Sequence, residues 1–187
     1  MGDEQEREFE RLLEAMKKAA GALRNAEVPF VLGGGLAAWA RGGPKTEHDV
    51  DFLVRPDDVQ RAREALAEAG MRTEDPPEGW LLKAYDDDIL IDLIFNPQGG
   101  PVGDEIFERA EELEVHATRL QVAALEDVLV QKLLALSEQQ PDFSAVLELA
   151  RSLREQVDWD EVRHRTGDSP FAKGYFTLLD ELEIVPG

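Results

Sequence analysis

Near the N-terminus, Phe9, Leu12, Leu13, Met16, Ala20 and Leu23 recur at three-and-four spacing among charged residues. That period predicts an amphipathic helix over residues 4–25, with Asn25 and Pro29 marking its end. The run at 28–33 is short, apolar and partly β-branched, so it reads as a buried strand that stops at three glycines. Residues 35–41 then read as a short helix, closed by Gly42, Gly43 and Pro44. From 48 to 54 polar and apolar positions alternate before Arg55 and Pro56, which predicts a strand carrying Asp49 and Asp51 on one face.

Pro56 and Asp57 open a predicted helix that runs to Gly70, with Val59, Ala62, Leu66 and Ala69 as its inner stripe. Residues 80–84 and 89–95 read as an antiparallel hairpin around the acidic turn Tyr85, Asp86, Asp87 and Asp88. Beyond Pro101 the pattern predicts a short helix near 103–112, a strand around Val115, and helices near 125–138, 142–156 and 170–182. The expected class is α+β: a mixed β-sheet flanked by helices over residues 1–100, followed by a mostly helical part over 101–187, with a soft boundary. The 187 residues suffice for one sizeable domain or a domain with a helical appendage.

Composition narrows the partners. With 43% hydrophobic residues the chain can bury a core, so its 32% charged content reads as solvated surface. Forty acids against 20 bases give a formal net charge of −20, spread over both halves. Such a surface repels phosphate backbones, which disfavours a long nucleic-acid substrate. The acidic start lacks the basic and apolar regions of a signal peptide, and no apolar run reaches membrane-spanning length, so a cytoplasmic protein without a membrane partner is expected. There is no cysteine and there are three scattered histidines, so any metal must sit on oxygen ligands.

One stretch carries chemistry. Residues 34–51 run from Gly34 and Gly35 through thirteen intervening positions to Asp49, Val50 and Asp51. Glycines without Cβ let a phosphate approach the backbone, and the helix that follows offers unpaired N–H groups at the positive end of its dipole. Side chains at i and i+2 on a strand share a face, so Asp49 and Asp51 present two carboxylates that magnesium can bridge to phosphates. A third acid, Asp92, stands between Ile91 and Leu93 in an apolar strand, where a lone carboxylate is costly unless paired or metal-bound. Taken singly, the glycines can serve helix packing, the alternating acids can be a solvated edge, and Asp92 can pair with a base such as Arg41.

In combination these residues resemble the signature of the nucleotidyltransferase superfamily typified by DNA polymerase β, over roughly residues 28–95. The segment 125–136 is further similar to a helix of small bacterial members, including type IV toxin–antitoxin toxins, though of that helix's lysine and the arginine and lysine–aspartate pair that often follow it, only Lys132 and Asp142 can be matched. The resemblance implies transfer of a nucleoside monophosphate from a nucleoside triphosphate to an acceptor hydroxyl, with Asp49, Asp51 and Asp92 as catalytic residues holding two magnesium ions. Gly34, Gly35, Arg41 and Lys45 are the candidate nucleotide-binding residues, with His48 in the same locally basic stretch. A small molecule or a protein is the favoured acceptor. A catalytically silent interaction module of a toxin–antitoxin-like pair is the alternative. Asp86, Asp87 and Asp88 read as a turn, His116 and His164 as surface or core, and Trp39 and Trp80 as core despite their ability to stack a base.

Overall fold

The computed structural model describes residues 2–46, 49–77 and 79–185. Helix α1 (Gly2–Asn25) buries the predicted stripe, from Phe9 to Leu23. Strand β1 (Val31–Leu32) leads into α2 (Gly34–Ala40), and β2 (Asp49–Leu53) follows. The expected start of β2, at His48, lies outside the described residues. A single 3-10 turn at Pro56–Asp58 opens α3 (Val59–Glu68), where proline at the first position needs no N–H. Strands β3 (Arg72–Glu74), β4 (Leu81–Asp86) and β5 (Ile89–Ile94) complete the first half. The acidic hairpin turn is tied down by α1, since Lys18 and Arg11 pair with Asp86 and Asp88.

The segment 101–122 holds the expected short helix, α4 (Asp104–Arg109), and the expected strand around Val115, β6 (Glu111–Val115), and adds an unexpected strand, β7 (Thr118–Val122), that pairs with β6 as a second hairpin. Its turn holds His116 and Ala117, both at positive φ, 48° and 55°. Neither is a residue that advertises such a turn, and Glu111 and Glu112 are good helix formers, so the expected helix ran on to 112 and the hairpin partner went unseen. The chain ends in α5 (Leu125–Ala135), α6 (Ser144–Leu153), α7 (Trp159–Arg165) and α8 (Pro170–Glu181). Helix α7 was not expected, although Asp158 accepts a hydrogen bond from Glu161 N–H at 3.0 Å in the manner of an N-cap. Among the described residues no helix is long and apolar enough to cross a membrane.

The class is α+β, with one mixed seven-stranded sheet in the order β3-β4-β5-β2-β1-β7-β6. β2 runs parallel to β5, and β1 parallel to β7, whereas the other neighbours are antiparallel. The sheet thus draws strands from both sides of residue 100. Register places Val50 beside Ile91 and Phe52 beside Leu93, and all four are fully buried. Alternation then puts Asp49, Asp51 and Asp92 on the opposite face. Helices α1 and α3 pack on each other and on the sheet, α1 on β2 and β5 and α3 on β3 and β4.

The C-terminal helices are fastened to the sheet region by one buried acid. Asp127, 1% exposed on α5, accepts from Arg109 at 2.7 and 3.0 Å and from Arg165 at 2.6 Å. Removing one partner of such a group strands the others without compensation. Asp127→Ala is therefore expected to lower unfolding free energy by about 3 kcal/mol in urea denaturation. A loss below about 0.5 kcal/mol, the range of ordinary surface changes, contradicts this role.

Candidate active site

The parallel register of β2 and β5 sets Asp51 directly beside Asp92, and the antiparallel register of β4 sets Lys83 on the other side of Asp92. Each acid thus projects from the same sheet face, and one carboxylate oxygen from each of Asp49, Asp51 and Asp92 lies within 4.8 Å of the others. The expected three-acid cluster is assembled. Its cost is visible in the titration of its members. Burial, then the neighbouring Asp49 and Asp92, push Asp51 up to about 8, against a pull downward from Lys132. Burial and Asp49 push Asp92 up to about 6, while Lys83 pulls it down. One oxygen of Asp92, Oδ1, is buried with no hydrogen-bond partner. An all-oxygen donor set with an unsatisfied buried lone pair suits a hard divalent cation such as magnesium.

The glycine turn is built against these acids. Gly33 N–H donates to the Asp51 carbonyl at 2.8 Å, extending the β1–β2 ladder to the start of α2. Gly34 has φ +56°, and a Cβ there would lie 1.6 Å from Asp51 Oδ2. A Cβ on Gly35 would lie 2.6 Å from Thr46 Cβ. The paired glycines therefore bring backbone up to the acids, where any side chain would displace Asp51 or Thr46.

Two cavities adjoin the cluster. One, of about 480 Å³, is lined by Gly35, Lys45, Thr46, Asp49 and Lys132 among others. The second, of about 440 Å³, opens over Gly34, Asp51, Trp80 and Lys132. Lys132, noted in the sequence only as a match, belongs to both walls. Lys83 was missed as well, although its place in β4 opposite Asp92 follows once the hairpin register is known. Trp80 corrects the core expectation: it is 36% exposed, with its carbonyl accepting from Phe95 N–H and Asn96 N–H. Trp39 is partly buried, edge-on to Phe9 at 4.9 Å between ring centroids.

Lys45 reaches the first cavity and pairs with Glu6 at 2.6 Å. Arg41 is engaged elsewhere, donating to the carbonyls of Val122 and Ala123 at 3.2 and 3.1 Å and pairing with Glu111 at 2.9 Å. It clamps the β6–β7 hairpin, and the base that faces Asp92 is Lys83. His48 lies outside the described residues. His116 sits beside Glu14 at 3.0 Å, and His164 lines a third cavity with Arg109 and Arg165.

A strand, a glycine turn, a short helix and an acid-bearing strand that close on one carboxylate cluster define the class, a nucleotidyltransferase. The chain belongs to the family described as nucleotidyl transferase of unknown function (DUF2204), whose model matches residues 12–170. Its fold is similar to the crystal structure of ANT(2'')-Ia in complex with adenylyl-2''-tobramycin, at TM-score 0.65 and 14% identity over 87% of this chain and 98% of that one. It is likewise similar to the solution structure of the antibiotic-resistance factor ANT(2'')-Ia, at TM-score 0.66 and 15% identity over 91% of this chain and 96% of that one. Such identities express likeness of fold. None of the curated protein sequences matches the chain.

The raised acids give a signed pH dependence. Folded Asp51 titrates near 8 and Asp92 near 6, above the ordinary 3.8, so without metal the folded state holds more protons than the unfolded chain between those values. Stability in metal-free buffer should fall as pH rises from about 4 to about 8. Magnesium should raise Tm more at pH 8 than at pH 5, and Asp51→Asn should flatten both trends. Melting curves with chelator and with magnesium check this, and a pH-independent magnesium response contradicts it.

Proposed function

We propose that the protein transfers a nucleoside monophosphate from a nucleoside triphosphate to a hydroxyl of a small molecule, using Asp49, Asp51 and Asp92 to hold two magnesium ions. The observation that carries the reading is the convergence of three carboxylates within 4.8 Å, one of them with an unsatisfied buried oxygen. Bound magnesium would supply charge neutralisation and orientation of the triphosphate and the attacking oxygen. The chain's own residues do the rest. Gly35, Lys45 and Lys132 line the cavity beside Asp49, where a polyanion would lie, and Gly34 brings backbone up to Asp51. The acceptor oxygen attacks the α-phosphorus, the bond to pyrophosphate breaks, and the hydroxyl proton goes to a carboxylate. Asp92, raised to about 6 and carrying a free Oδ1, is the group placed to take it.

A silent interaction module has no use for three carboxylates held at an electrostatic cost, so the geometry favours the enzyme over that alternative. The neighbour bound to adenylyl-2''-tobramycin makes a hydroxyl of a small antibiotic one acceptor worth testing. The test is incubation with each labelled triphosphate, magnesium and candidate acceptors, with pyrophosphate release as readout. Asp49→Asn and Asp51→Asn should each cut the rate about a thousand-fold, as loss of several kcal/mol of transition-state stabilisation requires. Lys132→Ala should chiefly raise the KM for triphosphate. Wild-type rates in Asp51→Asn refute the assignment.

A further inference from the structure

The acceptor's chemistry can be read from the cavity that remains once the triphosphate is placed, an argument that rests on the transfer reading above. In-line displacement at the α-phosphorus puts the attacking hydroxyl and the departing pyrophosphate on opposite sides. Two cavities adjoin the carboxylates, and they differ in kind. The one with Asp49 is lined about evenly by polar and apolar groups and carries Lys45, Lys132, Thr46 and Gly35, which suit phosphate oxygens, beside Glu148. The other, with Asp51, is the larger in apolar surface and is the one left for the acceptor.

That second cavity carries one aromatic residue, Trp80, and a mostly uncharged lining. Trp80 stands at its rim, and Trp80 and Leu182 are the exposed large hydrophobic residues among those described. The Trp80 backbone is fixed by two N–H donors from the end of β5, so the ring is presented from a rigid base. An exposed indole so held is a platform for stacking. Opposite it, Val128, Gln131, Lys132 and Ala135 occupy one face of α5, at the spacing that lines up successive helical turns. Ile94 adds apolar surface, while Asn96, Gln98 and Gln131 add amides, which both donate and accept hydrogen bonds.

Charge is the deciding feature. The chain has 40 acids, yet among the described residues Asp51 and Lys132 are the charged ones on this wall. The adjoining third cavity, which shares Pro97, Gln98, Gly100 and Gln131 with it, sets Arg109 and Arg165 against Asp127 and Glu105. One buried atom there, Arg165 Nη1, has no partner. A polyamine entering this space would shed water from several ammonium groups and meet, among the described lining residues, Asp51, which the proposed magnesium ions would occupy, Asp127, which two arginines already hold, and Glu105, against the cations Lys132, Arg109 and Arg165. We infer that the acceptor is an uncharged, ring-bearing hydroxyl compound that stacks on Trp80, not a polycation. A volume of about 440 Å³ is in the range that encloses a small ligand of this kind.

The chain has three tryptophans, so a nitrogen–proton correlation spectrum gives three separate indole signals, and Trp80→Phe assigns the relevant one. The probes are phenyl β-glucoside, a neutral aryl glycoside, and tobramycin, a polycation, each titrated to millimolar concentration. The expected result is a saturable shift of the Trp80 signal with phenyl β-glucoside, little change at Trp39 and Trp159, and no shift of Trp80 with tobramycin. A Trp80 signal that phenyl β-glucoside leaves unmoved, or that tobramycin moves at equal or lower concentration, overturns the inference. Thermal protection by triphosphate and magnesium is measured alongside. Its absence with the Trp80 shift intact would sink the transfer reading but not the cavity's selectivity, whereas a silent Trp80 in a protein that binds triphosphate would sink the acceptor class alone.

Discussion

Three carboxylates held within 4.8 Å of one another are the constraint around which the rest of this molecule is arranged. Like charges at that distance repel strongly once water is thinned out, and the upward titration of Asp51 and Asp92 is that repulsion together with burial. The cluster persists because each acid is fixed by something that cannot relax. Asp49 and Asp51 are two residues apart on a five-residue strand whose other face is fully buried, so turning them outward would expose Val50 and Phe52. Asp92 is held by parallel register with that strand.

In a protein with a formal net charge of −20 two lysines nevertheless stand beside the cluster without neutralising it. Lys83 sits beside Asp92 through the β4–β5 register, and Lys132 approaches Asp51 from α5. Most other bases are spent in pairs on the periphery, as with Arg41 on Glu111 and the hairpin, and Arg55 on Asp104. The bulk negative charge and the local positive ones therefore serve different ends, and net charge alone would have said little about the site.

Much of this was legible in the sequence, for reasons that differ element by element. The strand 28–33, the glycines and the alternating acids carry local signals, because glycine and period-two alternation report directly on backbone approach and on which face a side chain takes. Asp92 was found because an acid between Ile91 and Leu93 is costly enough to need an explanation. Other features depend on contacts between distant segments. Nothing in the local sequence says that Arg41 reaches the carbonyls of Val122 and Ala123, more than eighty positions on. The strand around Val115 was legible, but its pairing with β7 was hidden by a turn made from His116 and Ala117. Trp80 looked like core because it opens the apolar run read as a strand over 80–84, and only the structure shows it half-exposed and lining a cavity.

The same hairpin explains how a helix so far along the chain comes to serve the cluster. Strand β7 enters the sheet beside β1, with Ala123 N–H donating to the Leu32 carbonyl at 2.9 Å, so α5 must begin next to the glycine turn. Its rotation about its own axis is then set by Asp127, which the guanidinium groups of Arg109 and Arg165 hold from α4 and α7. With entry point and rotation both fixed, Lys132, five residues beyond Asp127 and so about 140° round the helix, is turned away from the arginines and toward the acids. Helix α5 is apolar on much of its circumference because it is packed from several sides, touching α2, α6, α7 and α8. Its position is thus over-determined by burial, which frees its one charged residue at the site to answer to the cluster rather than to solvent.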